Sequence, residues 1–240
     1  MPPHRGRPRG AAASKAERPF TPEELLGPLN PLELRHAPKQ LFVAGHSEWL
    51  RDHPRVAIVG SRQPSTAGVK RAARLARVLA HHGAFIVSGL AEGIDWTAHT
   101  ATIDAGGRTI AVIGTPLSET YPARHRLLQA QLMHEHLVVS QFPKGSPTTR
   151  RNFPMRNRTM ALVCDASVIV EAGDGSGSLS QGWEALRLGR PLFLMASILE
   201  RRDLSWPKTM LDYGAMVLRT PSELLARLPA RVDNPLSAIA

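Results

Sequence analysis

Cysteine occurs once in the 240 residues, at Cys164. One thiol excludes a disulfide framework and a cysteine-built metal site, and its place in the apolar run Ala161 to Cys164 marks it as a small packed hydrophobe. Long apolar stretches are also missing. None approaches the roughly 20 residues needed to cross a bilayer, and the N-terminus lacks the hydrophobic core of a signal peptide. A cytoplasmic protein with no membrane partner is expected. Acidic residues are the minority charge, 20 against 30 basic ones, which leaves a net charge of +10. That imbalance suits an acidic partner, nucleic acid first, although basic proteins also sit on anionic membranes or simply carry solvated basic helices. His81 and His82 are adjacent and His134 and His136 are close, yet neither pair has helix-facing ligand spacing with a third donor nearby. They read as surface residues, and no metal or other cofactor is expected.

What is present is organised around Arg55 to Asp104. Val56 to Val59 is a short apolar run between Pro54 and Gly60, the pattern of a strand buried on both faces. Gly60, Ser61 and Arg62 follow at once. From Ser65, apolar residues recur at helical spacing from Val69 to Leu79, with Lys70, Arg71, Arg74 and Arg77 as the wet face. Gly83 ends this helix, and Ala84 to Ser88 supplies the next strand. A helix N-terminus above strand ends points unpaired amides and a positive dipole at any anion there, and Ser61 and Arg62 add a hydroxyl and a fork of donors. On these residues alone the better reading is that Gly60 serves only the turn and Arg62 only the solvent, since a short glycine turn is a weak motif. The segment from Ser88 to His99 repeats the design, with Gly89 in the turn and a helix opening near Ile94. Two glycine turns at one end of a parallel sheet lie where open α/β sheets bind ligands.

Thr109 to Ile113 is a third apolar strand, Tyr121-Pro122 starts a helix, and Leu137 to Val139 makes another strand. The polar loop from Ser140 to Pro154 carries Lys144, Arg150, Arg151 and Phe153, and Arg156, Asn157 and Arg158 come next. Long loops inside a domain tend to be functional. Cations that track phosphates beside a ring that stacks on a base are what single-stranded nucleic acid needs, the ring contributing about 1–3 kcal/mol per base. Phe153 is open to a second reading, as an anchor of the loop in the core. Ala166 to Glu171 is a further buried strand, and residues 173–178 form a third glycine turn with Ser176, Gly177 and Ser178, leading into a helix. Pro191 to Met195 closes the core. Ahead of the core, Thr21 caps a short helix with Pro22 in its first position, Leu41 to Val43 is an edge strand and Ser47 to Leu50 a helical turn.

Several of these stretches together, AIVGSR, SGLAEGIDWTAH, GGRTIAVIGTPLSETYP, FPMRNR and VEAGDGSGSL, resemble the DNA processing protein A family (DprA, also called Smf) from about Pro31 to Leu228. The resemblance implies a protein that coats incoming single-stranded DNA, dimerises and helps load the RecA recombinase during natural transformation. It is to a short form, without the extra N-terminal helical and C-terminal winged-helix modules frequent in the family. One departure is Ala196-Ser197 where the family has Pro-Gly.

The expected organisation is a disordered basic arm at 1–20, a lead-in at 21–54, a Rossmann-like doubly wound, mostly parallel α/β domain at 55–228 with helices on both faces, and a flexible tail at 229–240. The arm either adds phosphate contacts or is inert. The expected site for single-stranded DNA comprises Gly60, Ser61, Arg62, Ser88, Gly89, Lys144, Arg150, Arg151, Phe153, Arg156, Asn157, Arg158, Ser176, Gly177 and Ser178, with Arg62 and Arg156 each on a phosphate and no base-reading element. Glu92, Asp95 and Glu171 read as caps and partners for arginines, and Asp95 and His99, at i and i+4, as a pair on one helix face. No catalytic residue is expected. The alternative is a nucleotide sensor or enzyme. Residues from Ala172 to Leu194 also resemble the nucleoside monophosphate phosphoribohydrolases, but Ser180 and Gln181 stand where those enzymes have acids, with Glu184 one turn on.

Overall fold

A computed structural model describes residues 18–52 and 54–229. The expected arm lies mostly at residues 1–17, and the expected tail mostly at 230–240, both outside the described residues. Arg18 to Phe20, assigned to the arm, instead join the fold. Arg18 pairs with Glu24 at 2.7 Å, and Phe20 and Leu41 exchange backbone hydrogen bonds of 2.8 Å.

Each apolar run forms a strand of one sheet: β1 Phe42–Gly45, β2 Arg55–Val59, β3 Phe85–Ser88, β4 Thr109–Ile113, β5 Leu137–Ser140, β6 Ala166–Ile169, β7 Leu192–Met195 and β8 Met216–Leu218. Among the described residues the order is β1-β5-β4-β3-β2-β6-β7-β8, parallel except where β1 meets β5. Strands β2 to β6 are buried along their whole length, because helices cover both faces and no alternate residue reaches water. The helices are α1 Pro22–Leu26, α2 Pro31–His36, α3 Thr66–His81, α4 Ile94–Asp104, α5 Arg126–Glu135, α6 Asn152–Val163, α7 Gly177–Arg187, α8 Ala196–Leu199, α9 Trp206–Asp212 and α10 Pro221–Leu225. Helices α3, α4 and α10 pack on Val56, Ile58, Ile86, Val168 and Phe193, and α5 continues that layer over Ala111, Ile113 and Val138. The opposite strand residues, among them Ala57, Val59, Val87, Val112 and Ile169, face α6, α7, α9 and the lead-in. This is the doubly wound, Rossmann-like sheet the sequence implies.

Helix boundaries follow side-chain chemistry. Ser65 accepts the Gly68 amide at 3.0 Å at the start of α3, and Thr21 with Glu24 and Asn30 with Glu33 form reciprocal capping boxes. Helix α3 then buries Leu75 and Leu79 against the sheet, each contributing about 1.5–3 kcal/mol. Leu79→Ala would cost roughly 2–5 kcal/mol, because the close-packed layer cannot collapse onto the vacated volume.

The chain leaves the central β2 through β3, β4 and β5 on one side and returns through α6 to β6 on the other. Strands β2 and β6 are neighbours, so the order reverses between them, and a crevice opens at their carboxyl ends.

Four sequence expectations are corrected. After Tyr121-Pro122 there is a short 3-10 turn, Ala123–His125, and the α-helix begins at Arg126. The loop after β5 ends earlier than expected, since α6 starts at Asn152 and takes Phe153 and Pro154 into its first turn. His136 is buried rather than on the surface; it links α5 to β5, its carbonyl accepts the His46 amide at 2.8 Å, and its ring meets Trp49 edge-on at 6.0 Å. Asp95 and His99 do not pair, because each is claimed by another partner. The Asp95 carboxylate turns back to the Gly89 and Ala91 amides, while His99 Nδ1 meets the Thr109 hydroxyl at 2.7 Å.

Candidate functional site

The crevice is a cleft of about 610 Å³ at the carboxyl edge of β2 and β6. Its walls are the first turn (Gly60 to Gln63), the end of the second (Ala91, Glu92, Asp95), the third (Gly173 to Ser178) and one face of α6. Phe153, Arg156 and Asn157 line it together because positions i, i+3 and i+4 share a helix face. Gln181 from α7 forms part of the floor.

The three glycine turns differ in what they leave open. At the first, the Ser61 amide donates to the Glu171 carbonyl at 2.7 Å, and the Ser61 carbonyl accepts from Ile94 at 3.1 Å. A Cβ on Gly60 would stand 2.7 Å from Ile94 Cγ1 and 2.8 Å from the Glu171 carbonyl oxygen, so this glycine makes room for the protein's own chain. The N-terminus of α3, expected to present free amides to a ligand, is engaged in part, through the Ser65 and Gly68 amides. Glu171 accepts the Ser65 amide at 2.8 Å and the Ser65 hydroxyl at 2.6 Å, and its carboxylate lies 3.3 Å from Arg71.

The second turn is closed in the same way. Asp95 accepts the amides of Gly89 at 3.1 Å and Ala91 at 3.3 Å, and lies 4.0 Å from the Arg156 guanidinium. Arg156 also donates to the Val112 carbonyl at 3.3 Å. A Cβ on Gly89 would run into the Arg156 guanidinium, so the glycine exists to admit that arginine. Both charged side chains are almost wholly buried, and burial raises the Asp95 carboxyl above its ordinary value against the pull of Arg156 and the two amides. Leu90, between the glycine and Ala91, is held in the left-handed region at φ +58°, and its carbonyl accepts from the His125 ring at 2.9 Å. A non-glycine residue there persists only where the surroundings enforce it.

The third turn is open. A Cβ on Gly173, Gly175 or Gly177 would meet nothing within 4 Å. Ser176 Oγ accepts the Ser178 amide at 3.4 Å and contacts its hydroxyl at 2.8 Å. Asn157 donates to the Gly177 carbonyl at 3.1 Å, tying the turn to α6. Asp174 also lines the cleft and accepts from the Ser205 amide at 3.1 Å and its hydroxyl at 3.2 Å.

Arg62 is exposed, with its guanidinium 5.9 Å from the centre of the Phe153 ring. Phe153 packs against Gly114, where a Cβ would come within 2.9 Å, and meets Tyr121 at 5.2 Å. The half-buried Phe153 is therefore both an anchor and a wall of the cleft. Lys144, Arg150 and Arg151 are exposed on the loop before α6 and are not in the cleft wall. Arg158 projects to solvent and lies 3.5 Å from Glu184. Ser88 is buried and donates to the Ile58 carbonyl at 2.7 Å. Of the expected residues the cleft thus unites Gly60, Ser61, Arg62, Phe153, Arg156, Asn157, Ser176, Gly177 and Ser178; it does not include Ser88, Gly89, Lys144, Arg150, Arg151 or Arg158.

Sequence reasoning missed Gln63 and Gln181 in the cleft wall, and Tyr121, which is outside the wall but packs on the Phe153 ring. Tyr121 is 51% exposed on the loop after β4, and the signal was available: a loop that leaves a parallel strand lies at the ligand-binding edge. Gln181 occupies one of the two positions expected to carry an acid in a hydrolase, and its amide donates to the Ser167 hydroxyl at 3.2 Å. Glu184 is buried outside the cleft wall, 2.7 Å from Arg187.

The sequence profile of the family described as DNA recombination-mediator protein A matches residues 22–229. The chain belongs to this family. Protein Smf of Synechocystis is 35% identical over 214 residues, which cover 88% of this chain and 54% of that relative. The chain therefore spans about half the length of the curated relative. The crystal structure of DNA processing protein A (DprA) from Streptococcus pneumoniae superposes with a TM-score of 0.77 at 35% identity, covering 90% of this chain and 75% of that one. DNA processing protein A from Helicobacter pylori, whose structure addresses its single-stranded DNA binding mode, gives 0.72 at 28% identity, covering 83% and 92%. Among the described residues no helix is long and apolar enough to cross a membrane.

Proposed function

We propose that this member of the DNA recombination-mediator protein A family binds single-stranded DNA without reading its sequence, and acts in DNA uptake by protecting the incoming strand and passing it to RecA as a homodimer. The observation that carries the reading is the pairing of Arg62 with the Phe153 ring at the mouth of a cleft whose third turn is open. A cation beside an aromatic face offers a strand one phosphate contact and one stacking surface, and neither contact selects a base. The net charge of +10 and the exposed Lys144, Arg150 and Arg151 on the loop before α6 add cations suited to phosphates. The ligand described for the Helicobacter pylori relative supports the choice of strand.

The test is fluorescence anisotropy of labelled oligo(dT) through a salt series, with duplex DNA and mononucleotides as competitors. Tight binding that falls steeply with salt and resists mononucleotides is expected. Arg62→Ala should weaken binding and reduce the slope of log K against log salt by about 0.7, the release from one single-strand phosphate. An unchanged slope removes Arg62 from the phosphate path. The cleft is also the size of a mononucleotide site. Displacement of DNA by a free nucleotide, or hydrolysis of that nucleotide, would favour a sensor or phosphoribohydrolase instead. For hydrolysis, Gln181 replaces an acid, Glu184 is held by arginines outside the cleft, and the acids in the wall are engaged, Glu92 by Arg124, Asp95 by Arg156 and two amides, and Asp174 by Ser205.

A further inference from the structure

A second concavity of about 300 Å³ lies beside the cleft, lined by Glu92, Gly93, Trp96, Arg124 and His125. Glu92 lines both, so the two are neighbours at the same sheet edge. Trp96 stands in the first turn of α4 and is 38% exposed, unusual for a side chain with so much apolar surface on a helix that is otherwise largely buried. Its ring is backed by His125, with centroids 4.6 Å apart. His125 is itself buried and fixed by its hydrogen bond to the Leu90 carbonyl. The indole is therefore a supported platform and not a loose surface ring. Beside it, Arg124 pairs with Glu92, and their side chains are 63% and 35% exposed. An exposed ion pair contributes little, so a stronger anion can take Arg124 from Glu92 without much loss.

We propose that Trp96 and Arg124 form a second nucleotide subsite, in which Trp96 stacks a base of the single strand as it leaves the cleft and Arg124 takes the adjoining phosphate. This rests on the single-strand reading of the cleft. A flat aromatic face within reach of one cation is what sequence-tolerant strand binding uses, because every base offers a π-face and every linkage a phosphate. The two stations, Arg62 with Phe153 and Arg124 with Trp96, have the same composition and are joined through the turn that carries Glu92 and Gly93. The strand is thereby assigned a direction across the molecule, from the third glycine turn, over the first, towards the N-terminal end of α4.

The experiment measures anisotropy with labelled oligo(dT) from about 4 to about 16 nucleotides, the range of site sizes for such proteins. It compares the full chain with Trp96→Ala, Trp96→Phe and Arg124→Ala, after thermal melts establish that each is folded. Affinity of the unsubstituted chain should rise with length once the strand reaches the subsite. Trp96→Ala should remove about tenfold of that gain, ~1.4 kcal/mol, while leaving the shortest strand bound as before. Trp96→Phe should keep most of it, and Arg124→Ala should lower the salt slope by about 0.7 for long strands only. Equal affinities at every length, or a loss from Trp96→Ala that is the same for short and long strands, overturns the subsite and leaves the cleft reading standing. Failure of the unsubstituted chain to bind oligo(dT) at any length overturns the cleft reading, and the subsite with it.

Discussion

Replacing Arg156 separates a strut from a phosphate contact. Its guanidinium is 6% exposed, 4.0 Å from an Asp95 carboxylate that is 7% exposed, and donates to the Val112 carbonyl. Arg156→Ala leaves Asp95 buried with the Gly89 and Ala91 amides and the Ser88 hydroxyl as its remaining partners. Removing one partner of a buried pair costs about 3–5 kcal/mol. An independent bound gives the same size, since Asp95 escapes by taking a proton, and lifting a carboxyl from about 3.9 to neutrality costs roughly 4 kcal/mol at most. For a domain of this size each kcal/mol lowers Tm by about 2–4 °C, so a fall of roughly 6–16 °C is expected at neutral pH. The deficit carries a pH signature. Without Arg156 the folded carboxyl is raised further above its unfolded value, and such a group contributes stability that is fully present below the unfolded pKa and lost as pH rises through the folded one. The gap between the two proteins, followed by thermal melts from neutral pH down to about 4, should therefore narrow as pH falls. Asp95→Asn combined with Arg156→Met, which removes both charges, should recover much of the loss in a double-mutant cycle. A variant that melts normally yet binds DNA poorly would refute the reasoning and make Arg156 a direct contact.

Gly89→Ala drives a methyl group into the Arg156 guanidinium and should cost about 1–3 kcal/mol in urea unfolding, whereas Gly177→Ala, whose Cβ meets nothing within 4 Å, should leave stability nearly unchanged; equal effects would mean the two turns are packed alike. Burial, followed by the neighbouring His136, His125 and Arg156, holds the His99 imidazole down to about 3, so stability is fully present above the unfolded value of about 6.5 and falls by about 1.4 kcal/mol per pH unit below it. His99→Gln should flatten urea unfolding free energies between pH 6.5 and about 4.5, and an unchanged slope would place the acid sensitivity elsewhere.

His99 also shows where sequence spacing misleads. The i and i+4 positions of Asp95 and His99 suggest a pair, but the single Thr109 hydroxyl proton is donated to the Ile86 carbonyl at 2.8 Å. The hydroxyl must then accept from His99, which puts the imidazole proton on Nδ1 and leaves Nε2 without a partner. Nothing local in the sequence announces Thr109. The strands were legible because runs such as Val56 to Val59 are apolar on both faces, and the helix starts at Thr21 and Ser65 because these residues carry the oxygens that first-turn amides require. The glycine turns were legible as turns, though not in purpose. A glycine that admits a ligand and one that admits Arg156 look the same in sequence, and only the position of the guanidinium tells Gly89 from Gly177. Helical spacing does separate Arg156 from Arg158, since i+3 and i+5 from Phe153 fall on different faces. Applied strictly, it would have put one arginine in the cleft wall and the other in solvent.

The way the first two turns are filled bears on where a strand can run. Helix N-termini attract anions, and two of the three turns at this edge already hold one: Glu171 at the start of α3 and Asp95 at the Gly89 turn. Both carboxylates stand above strand ends where a phosphate would otherwise sit, and both are tied to arginines, Arg71 and Arg156. A phosphate approaching either position meets a negative charge at closer range than the positive end of the helix. Within the cleft, the positions left to it are the third turn, where the added Cβ atoms find open space, and the exposed Arg62. If the cleft takes a single strand as proposed, the internal carboxylates would do more than hold the turns together: by occupying the first two anion positions they would steer the backbone in the cleft to the third turn and Arg62.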